Sequence, residues 1–319
     1  MKELKAAFEQ FLEAHPYHAN PTGLYEPINY ILNLKGKRFR PVLLLAGYRT
    51  FQPNVEVAMP AAMAIEVFHN FTLLHDDIMD EAPLRRGAPT VHEKYDTNTA
   101  ILSGDAMMIS AYQWLGQYVG HPAFAEILAT FSQTAMDVCR GQQMDMDFEQ
   151  SWNVPVDAYL EMIKLKTAVL LGTALKIGAL LGGAESSDAD YFYEFGILIG
   201  LAFQIQDDIL DSFGNPELVG KQVGGDILQN KKTFLLLKTL AQIPDKQSLI
   251  VYMESDVTGS EKVEKIKNQM IASGALDAAD LLRDDYYEQS LGVLERMGIS
   301  EADKVFFSEL ALGMARRAF

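Results

Sequence analysis

The segment LHDDIMD, residues 74–80, places Asp76, Asp77 and Asp80 at the end of a largely apolar run from Ala58 to Leu74. QIQDDILD, residues 204–211, repeats the device with Asp207, Asp208 and Asp211 after the apolar run Phe195 to Phe203. On a helix the first and last aspartates of each cluster share a face, with the middle one on its shoulder. Pro83 follows the first cluster and Gly214-Asn215-Pro216 the second, so each cluster belongs near a helix C-terminus. The helix dipole is negative there and disfavours each carboxylate by about 0.3–1 kcal/mol, before their mutual repulsion is added. Something cationic must compensate. Oxygen donors alone select a hard ion, and Mg²⁺ binds through one or two carboxylates plus substrate phosphates.

The basic residues point to the same class of ligand. GKRFRP, residues 36–41, supplies Lys37, Arg38 and Arg40 just before a helix whose first turn suits Pro41. Arg85-Arg86-Gly87 follows the first aspartates, and Lys166-Thr167, Lys221 and Lys231 flank the second. With 43 acidic against 27 basic residues the net charge is −16, so the overall field repels nucleic acid and anionic membrane surfaces. An anionic substrate must therefore be caught by a local cluster of Lys and Arg, and a diphosphate suits both the cations and the metal.

Apolar residues recur at helical spacing along nearly the whole chain, and no convincing period-2 segment interrupts them, which predicts an all-α fold. Breaks fall at His15–Pro21, Gln52–Asn54, Glu81–Pro89, Gly120–Pro122, Trp152–Pro155, Glu185–Asp190, Gly214–Gly225 and Ser255–Ser260. None has the length or bias of a linker, so a single helical domain over residues 1–319 is expected, with no repeat of 20–50 residues. The N-terminus does not read as a signal peptide, and no stretch reaches about 18 uninterrupted apolar residues. The lone Cys139 can form no intrachain disulfide. A cytoplasmic protein without stable membrane insertion is expected.

The order GKRxRP, HxxxxxHDDxxD, RRGxPTxH, GD, GQxxD, KT, FQxxDDxxD, GKxxGxD and NKxT, spread over residues 36–233, resembles the all-trans polyprenyl diphosphate synthases. That resemblance implies the isoprenoid synthase fold, a large helical bundle with a central cavity, and a homodimer. It implies head-to-tail condensation of isopentenyl diphosphate with an allylic diphosphate (dimethylallyl, geranyl or farnesyl). Three Mg²⁺ ions per site are implied, with Mn²⁺ as the alternative metal. Asp76, Asp80 and Asp211 are the first choices as direct ligands, with Asp77, Asp207 and Asp208 binding directly or through water, and Asp145 reaching the diphosphate through water.

By the same resemblance Arg85, Lys166 and Lys221 grip the allylic diphosphate, Lys37, Arg40, His69 and Arg86 hold isopentenyl diphosphate, and Lys231 is a further ligand. Oxygens of Lys166, Thr167 and Gln204 would stabilise the allylic cation as uncharged dipoles. Gly225 departs from the basic or polar residue usual in the family, and Arg316 and Arg317 read as a frayed basic tail, with a cover over the isopentenyl pocket as the alternative. Phe71 lies five residues before Asp76, about 7.5 Å along a helix, with Phe68 one turn deeper, so rings there should stop a growing chain early. With small Thr72 beside it, this implies a short product, geranylgeranyl or else farnesyl diphosphate. A terpene cyclase and a non-catalytic prenyl-binding subunit are the alternatives. The second DDxxD and GKRFRP oppose the first, and the retained repulsive clusters oppose the second.

Overall fold

The computed structural model describes residues 1–215, 223–257 and 259–316. Apart from one two-residue hairpin, the regular elements among the described residues are helices. They group into two compact units, Met1–Phe131 with Thr173–Asp190, and Ser132–Gly172 with Tyr191–Phe319.

The first unit begins with α1 (Lys2–Ala14), α2 (Thr22–Asn33) and α3 (Phe39–Arg49), and continues through a 3₁₀ turn (Val55–Ala58) into α4 (Met59–Met79). The hairpin of β1 (Leu84–Arg85) and β2 (Ala88–Pro89) follows, then α5 (Val91–Lys94) and α6 (Thr97–Gly116). Every residue of α3 from Pro41 to Tyr48 is buried, as expected of a helix apolar on all sides. α4 packs chiefly on α6 and α3 and buries its stem from Ala61 to Phe68, each large aliphatic side chain contributing about 1.5–3 kcal/mol. Glu66 and Asn70, and Asp77 near its end, are polar residues buried within that apolar helix. Asp96 caps α6 by accepting the Thr99 N–H at 2.9 Å.

The boundaries between the units fall inside three helices, α7 (Phe124–Glu149), α9 (Val169–Gly182) and α10 (Ser186–Phe213). In the second unit α8 (Val156–Ile163) leads to α9 through a single π turn, Lys164–Ala168. After α10 come helices Gly225–Leu228, Phe234–Gln242, Lys246–Met253, Gly259–Ala272, Ala275–Arg296 and Glu301–Ala315. Their core gathers Ile163, Leu201, Ile205, Phe234, Leu237, Met253 and Ile266 around the C-terminal half of α10.

The expected break at Glu185–Asp190 is shorter than its composition suggests, because Ser186 already opens α10 and Asp188 sits in its first turn, where an acidic residue is favoured. Helices Val55–Met79 and Val156–Gly182 are long and apolar enough to cross a membrane, but their apolar windows are 72% and 78% buried in the protein, as in core helices.

Candidate active site

Asp76 and Asp77 occupy the last turn of α4, and Asp80 is its C-cap residue, its N–H bonded to the Asp76 carbonyl. Asp80 is exposed and Asp76 half-buried, whereas Asp77 is 2% exposed. Arg85 explains the difference: its Nε donates to both carboxylate oxygens of Asp77, at 2.8 and 2.7 Å. Its Nη2 lies 3.7 Å from Asp76 Oδ2. Burial pushes the Asp77 carboxyl up against the opposing pull of Arg85, and Asp76 adds to the push. The hairpin that aims Arg85 is held by Thr90, whose hydroxyl donates to the Ala82 carbonyl, and by Tyr30, whose hydroxyl donates to the Pro89 carbonyl.

Beside this cluster the first unit gathers its cations. Arg40 Nη1 donates to His69 Nε2 at 3.1 Å, while Arg40 Nε is buried without a protein partner. Burial depresses the Arg40 guanidinium to about 10, with Glu66 opposing and Arg86 reinforcing. Burial first, and then Arg40, Arg86, Arg85 and Arg38, hold His69 well below its ordinary 6.5, so its imidazole is neutral and Nε2 is free to accept from Arg40. Arg86 turns its guanidinium onto Gly36, where a Cβ would lie 2.9 Å from Nη1, so any larger residue there would have to displace the Arg86 guanidinium. Lys37 is exposed on the same turn. A buried guanidinium with an unused donor among other cations is a site short of an anion.

In the second unit Asp207 and Asp211 are half-buried, but Asp208 is 3% exposed and accepts the Tyr159 hydroxyl at 2.5 Å. Burial pushes the Asp208 carboxyl well above its ordinary 3.8; Asp226 and Asp207 push further, while the Tyr159 and Gln204 hydrogen bonds oppose. Gln204 Nε2 stands 3.4 Å from Asp208 Oδ1, and Thr167 Oγ1 stands 3.5 Å from Gln204 Oε1. Thr167 and Lys166 lie on the π turn, a local irregularity that re-aims side chains and is frequent at functional sites. Gly141 in α7 permits that turn to pass, since a Cβ there would collide with the Lys166 backbone nitrogen. Lys166 Nζ is paired with Asp145 at 2.7 Å. The Asp226 N–H donates to Asp211 Oδ1 at 2.9 Å, and Gly225 lies so near that a Cβ would sit 3.3 Å from Asp211 Oδ2.

Of the adjacent lysines, Lys232 is buried, donates to the Glu149 carbonyl at 3.0 Å and lies over the Trp152 ring, whereas Lys231 keeps partial exposure. Lys221 and Arg317 lie outside the described residues. Arg316 Nη2 is 3.8 Å from Asp284 Oδ2 on a neighbouring helix of its own unit. Phe68 and Phe71 join Phe131 and Tyr112 in one aromatic layer, and His75 stands edge-on to Phe71 with ring centroids 4.9 Å apart.

The two clusters divide their work alike. In each, the middle aspartate is buried on a protein donor, and the outer two keep access to solvent. In the first unit Asp76 and Asp80, and in the second Asp207 and Asp211, are each a pair of hard oxygen donors of the kind that suits Mg²⁺. Each pair by itself fits an ion whose remaining ligands arrive with a phosphate. Tyr159 and Glu66 were not among the residues singled out from the sequence. Glu66 had a visible signal, a lone carboxylate inside an apolar helix, whereas Tyr159 had none.

The polyprenyl synthetase family model matches residues 21–270. The chain is 37% identical over 270 residues to the geranylgeranyl diphosphate synthase of Methanosarcina mazei, covering 84% of this chain and 82% of that protein. It is 39% identical over 277 residues to the geranylfarnesyl diphosphate synthase of Natronomonas pharaonis, covering 81% of this chain and 80% of that one. A crystal structure of a geranylgeranyl pyrophosphate synthase superposes with a TM-score of 0.94 at 43% identity, covering 98% of both chains.

Proposed function

The chain belongs to the polyprenyl synthetase family and has the isoprenoid synthase fold, and from that premise we infer that it is a prenyltransferase, a short-chain trans-prenyl diphosphate synthase. The observation that carries this reading is the shared design of the two aspartate clusters, each with a buried, anchored middle carboxylate and accessible outer ones, in an acidic protein that nevertheless concentrates arginines around His69.

The reaction breaks the allylic C–O bond, whose electron pair departs with diphosphate, joins the allylic carbon to the double bond of isopentenyl diphosphate, and releases a proton. Asp76 and Asp80, and Asp207 and Asp211, would hold Mg²⁺, which would supply Lewis-acid neutralisation of the diphosphate leaving group. Three ions per site, with Mn²⁺ as a substitute, is the stoichiometry we propose. Asp77 and Asp208 act by anchoring, Asp77 through Arg85 and Asp208 through Tyr159. Lys37, Arg40, His69 and Arg86 bind isopentenyl diphosphate. Arg85, Lys166 and Lys221 bind the allylic diphosphate, Lys231 is a further ligand, and the oxygens of Lys166, Thr167 and Gln204 supply dipoles to the allylic cation without offering a strong nucleophile.

The names of the two relatives described above differ in product length, and we propose geranylgeranyl diphosphate as the product here, with Phe71 as the floor. We also propose a cytoplasmic homodimer. Incubation with labelled isopentenyl diphosphate and each allylic primer, followed by product sizing, tests the reading. Chain-extended diphosphates support it, cyclic hydrocarbons would indicate a cyclase, and no turnover with intact binding would indicate a non-catalytic subunit.

A further inference from the structure

We propose that Arg38 and Glu66 are a positioning pair which holds the Gly36–Arg40 turn in its anion-binding shape, so that capture of isopentenyl diphosphate depends on a buried carboxylate. The inference rests on the reading of the Arg40–His69–Arg86 cluster as the isopentenyl diphosphate site.

Arg38 stands in the middle of GKRFRP and carries the same charge as its neighbours, yet it is 7% exposed and turned inward. Its Nη1 donates to Glu66 Oε1 at 2.6 Å, and its Nη2 donates to the carbonyls of Leu32 at 2.5 Å and Leu34 at 3.0 Å. Those two carbonyls lie at the C-terminal end of α2. One planar guanidinium therefore joins the end of α2, the turn leading into α3 and the middle of α4. The backbone at Arg38 is left-handed, φ 51°, a strained conformation for a residue with a Cβ that persists only where its surroundings over-determine it.

Glu66 is itself locked. Its Oε1 also accepts Asn70 Nδ2 at 3.0 Å, and the same Nδ2 donates to the Glu66 carbonyl at 2.8 Å. His69 follows Glu66 by three residues, less than one turn along α4. Lys5 Nζ holds the opposite flank by donating to the Gly36 carbonyl at 3.0 Å, and Arg86 Nη1 reaches the Leu34 carbonyl that Arg38 uses.

Glu66 thus acts on a bound anion in two opposing ways. Its charge repels a diphosphate and weakens the field of Arg40 and Arg86. Its geometry fixes the turn that presents Lys37 and Arg40. Charge alone predicts that Glu66→Gln binds a diphosphate more tightly; positioning predicts weaker binding.

Calorimetric titration of the full chain with isopentenyl diphosphate, without metal or allylic substrate, separates the two. Glu66→Gln should weaken binding by about ten-fold or more, with an unchanged circular-dichroism spectrum. Steady-state kinetics should show the loss in KM for isopentenyl diphosphate, with KM for the allylic substrate and kcat near wild type. Unchanged or tighter binding by folded Glu66→Gln overturns the proposal. Should Glu66→Gln not fold, the double variant Arg38→Met with Glu66→Met removes both buried charges together and carries the same comparison, as does Glu66→Asp, which keeps the charge and shortens the reach. Arg40→Ala identifies the cause of any failure. If wild type does not bind, or Arg40→Ala binds as wild type does, the site reading falls; if Arg40→Ala abolishes binding and Glu66→Gln does not weaken it, only the positioning pair falls.

Discussion

The Tyr159 hydroxyl stands 2.5 Å from Asp208 Oδ2, and both side chains are buried, so the middle carboxylate of the second cluster is held by its own protein. Tyr159→Phe strips the donor and leaves a buried carboxylate partly unsatisfied, a loss of about 1–3 kcal/mol. The expected result is a melting temperature lower by several degrees with the helical spectrum kept at 20 °C. An unshifted melt would show that the contact contributes nothing.

Asp76→Ala and Asp211→Ala should each lower turnover by about 100-fold or more, because each removes an accessible hard ligand from the charge-neutralising site. Asp77→Asn should raise KM for the allylic diphosphate instead, since it releases Arg85. Near-normal turnover in either alanine variant removes that residue from the metal set.

His69 supplies a pH dependence. Its folded value is depressed below 6.5, so below that pH the unfolded chain binds a proton that the folded chain refuses. The stability contribution is present above 6.5 and is lost as pH falls from there toward the depressed folded value. Urea midpoints at about pH 7.5 and 5.5 should therefore differ more for wild type than for His69→Gln. Equal differences would mean that the fold does not hold His69 below its ordinary value.

Lys231 and Lys232 are adjacent and should separate by phenotype. Lys232→Met removes a buried ammonium bonded to the Glu149 carbonyl and should lower the melting temperature while leaving KM values unchanged. Lys231→Ala should raise KM for the allylic diphosphate about ten-fold, the loss of one charge-assisted contact, without altering the melt. The reverse pattern would exchange their roles.

Phe71→Ala opens the aromatic layer one turn above Phe68 and should lengthen the prenyl product by at least one isoprene unit, read by chromatographic sizing. An unchanged product would remove Phe71 as the floor.

Much of this protein could be read from residue order. The period of apolar residues indicated helices, and the spacing of Asp76 and Asp80, and of Asp207 and Asp211, put each pair on one helix face, which the helices α4 and α10 bear out. The two local cationic clusters, Lys37 to Arg40 and Arg85-Arg86, were equally legible as counterweights in an acidic chain. These are properties of neighbours along one helix or loop, where spacing alone sets direction.

Burial was different. Asp77 is anchored by Arg85 and Asp208 by Tyr159, partners eight and 49 positions away, and Arg38 is turned inward by Glu66, 28 positions away. A helix period states which way a side chain points relative to its own axis, not which neighbouring element stands there or whether that element brings a donor. Three residues with the same charge in the same motif can therefore serve a ligand or the scaffold, and only the packing of separate elements decides which.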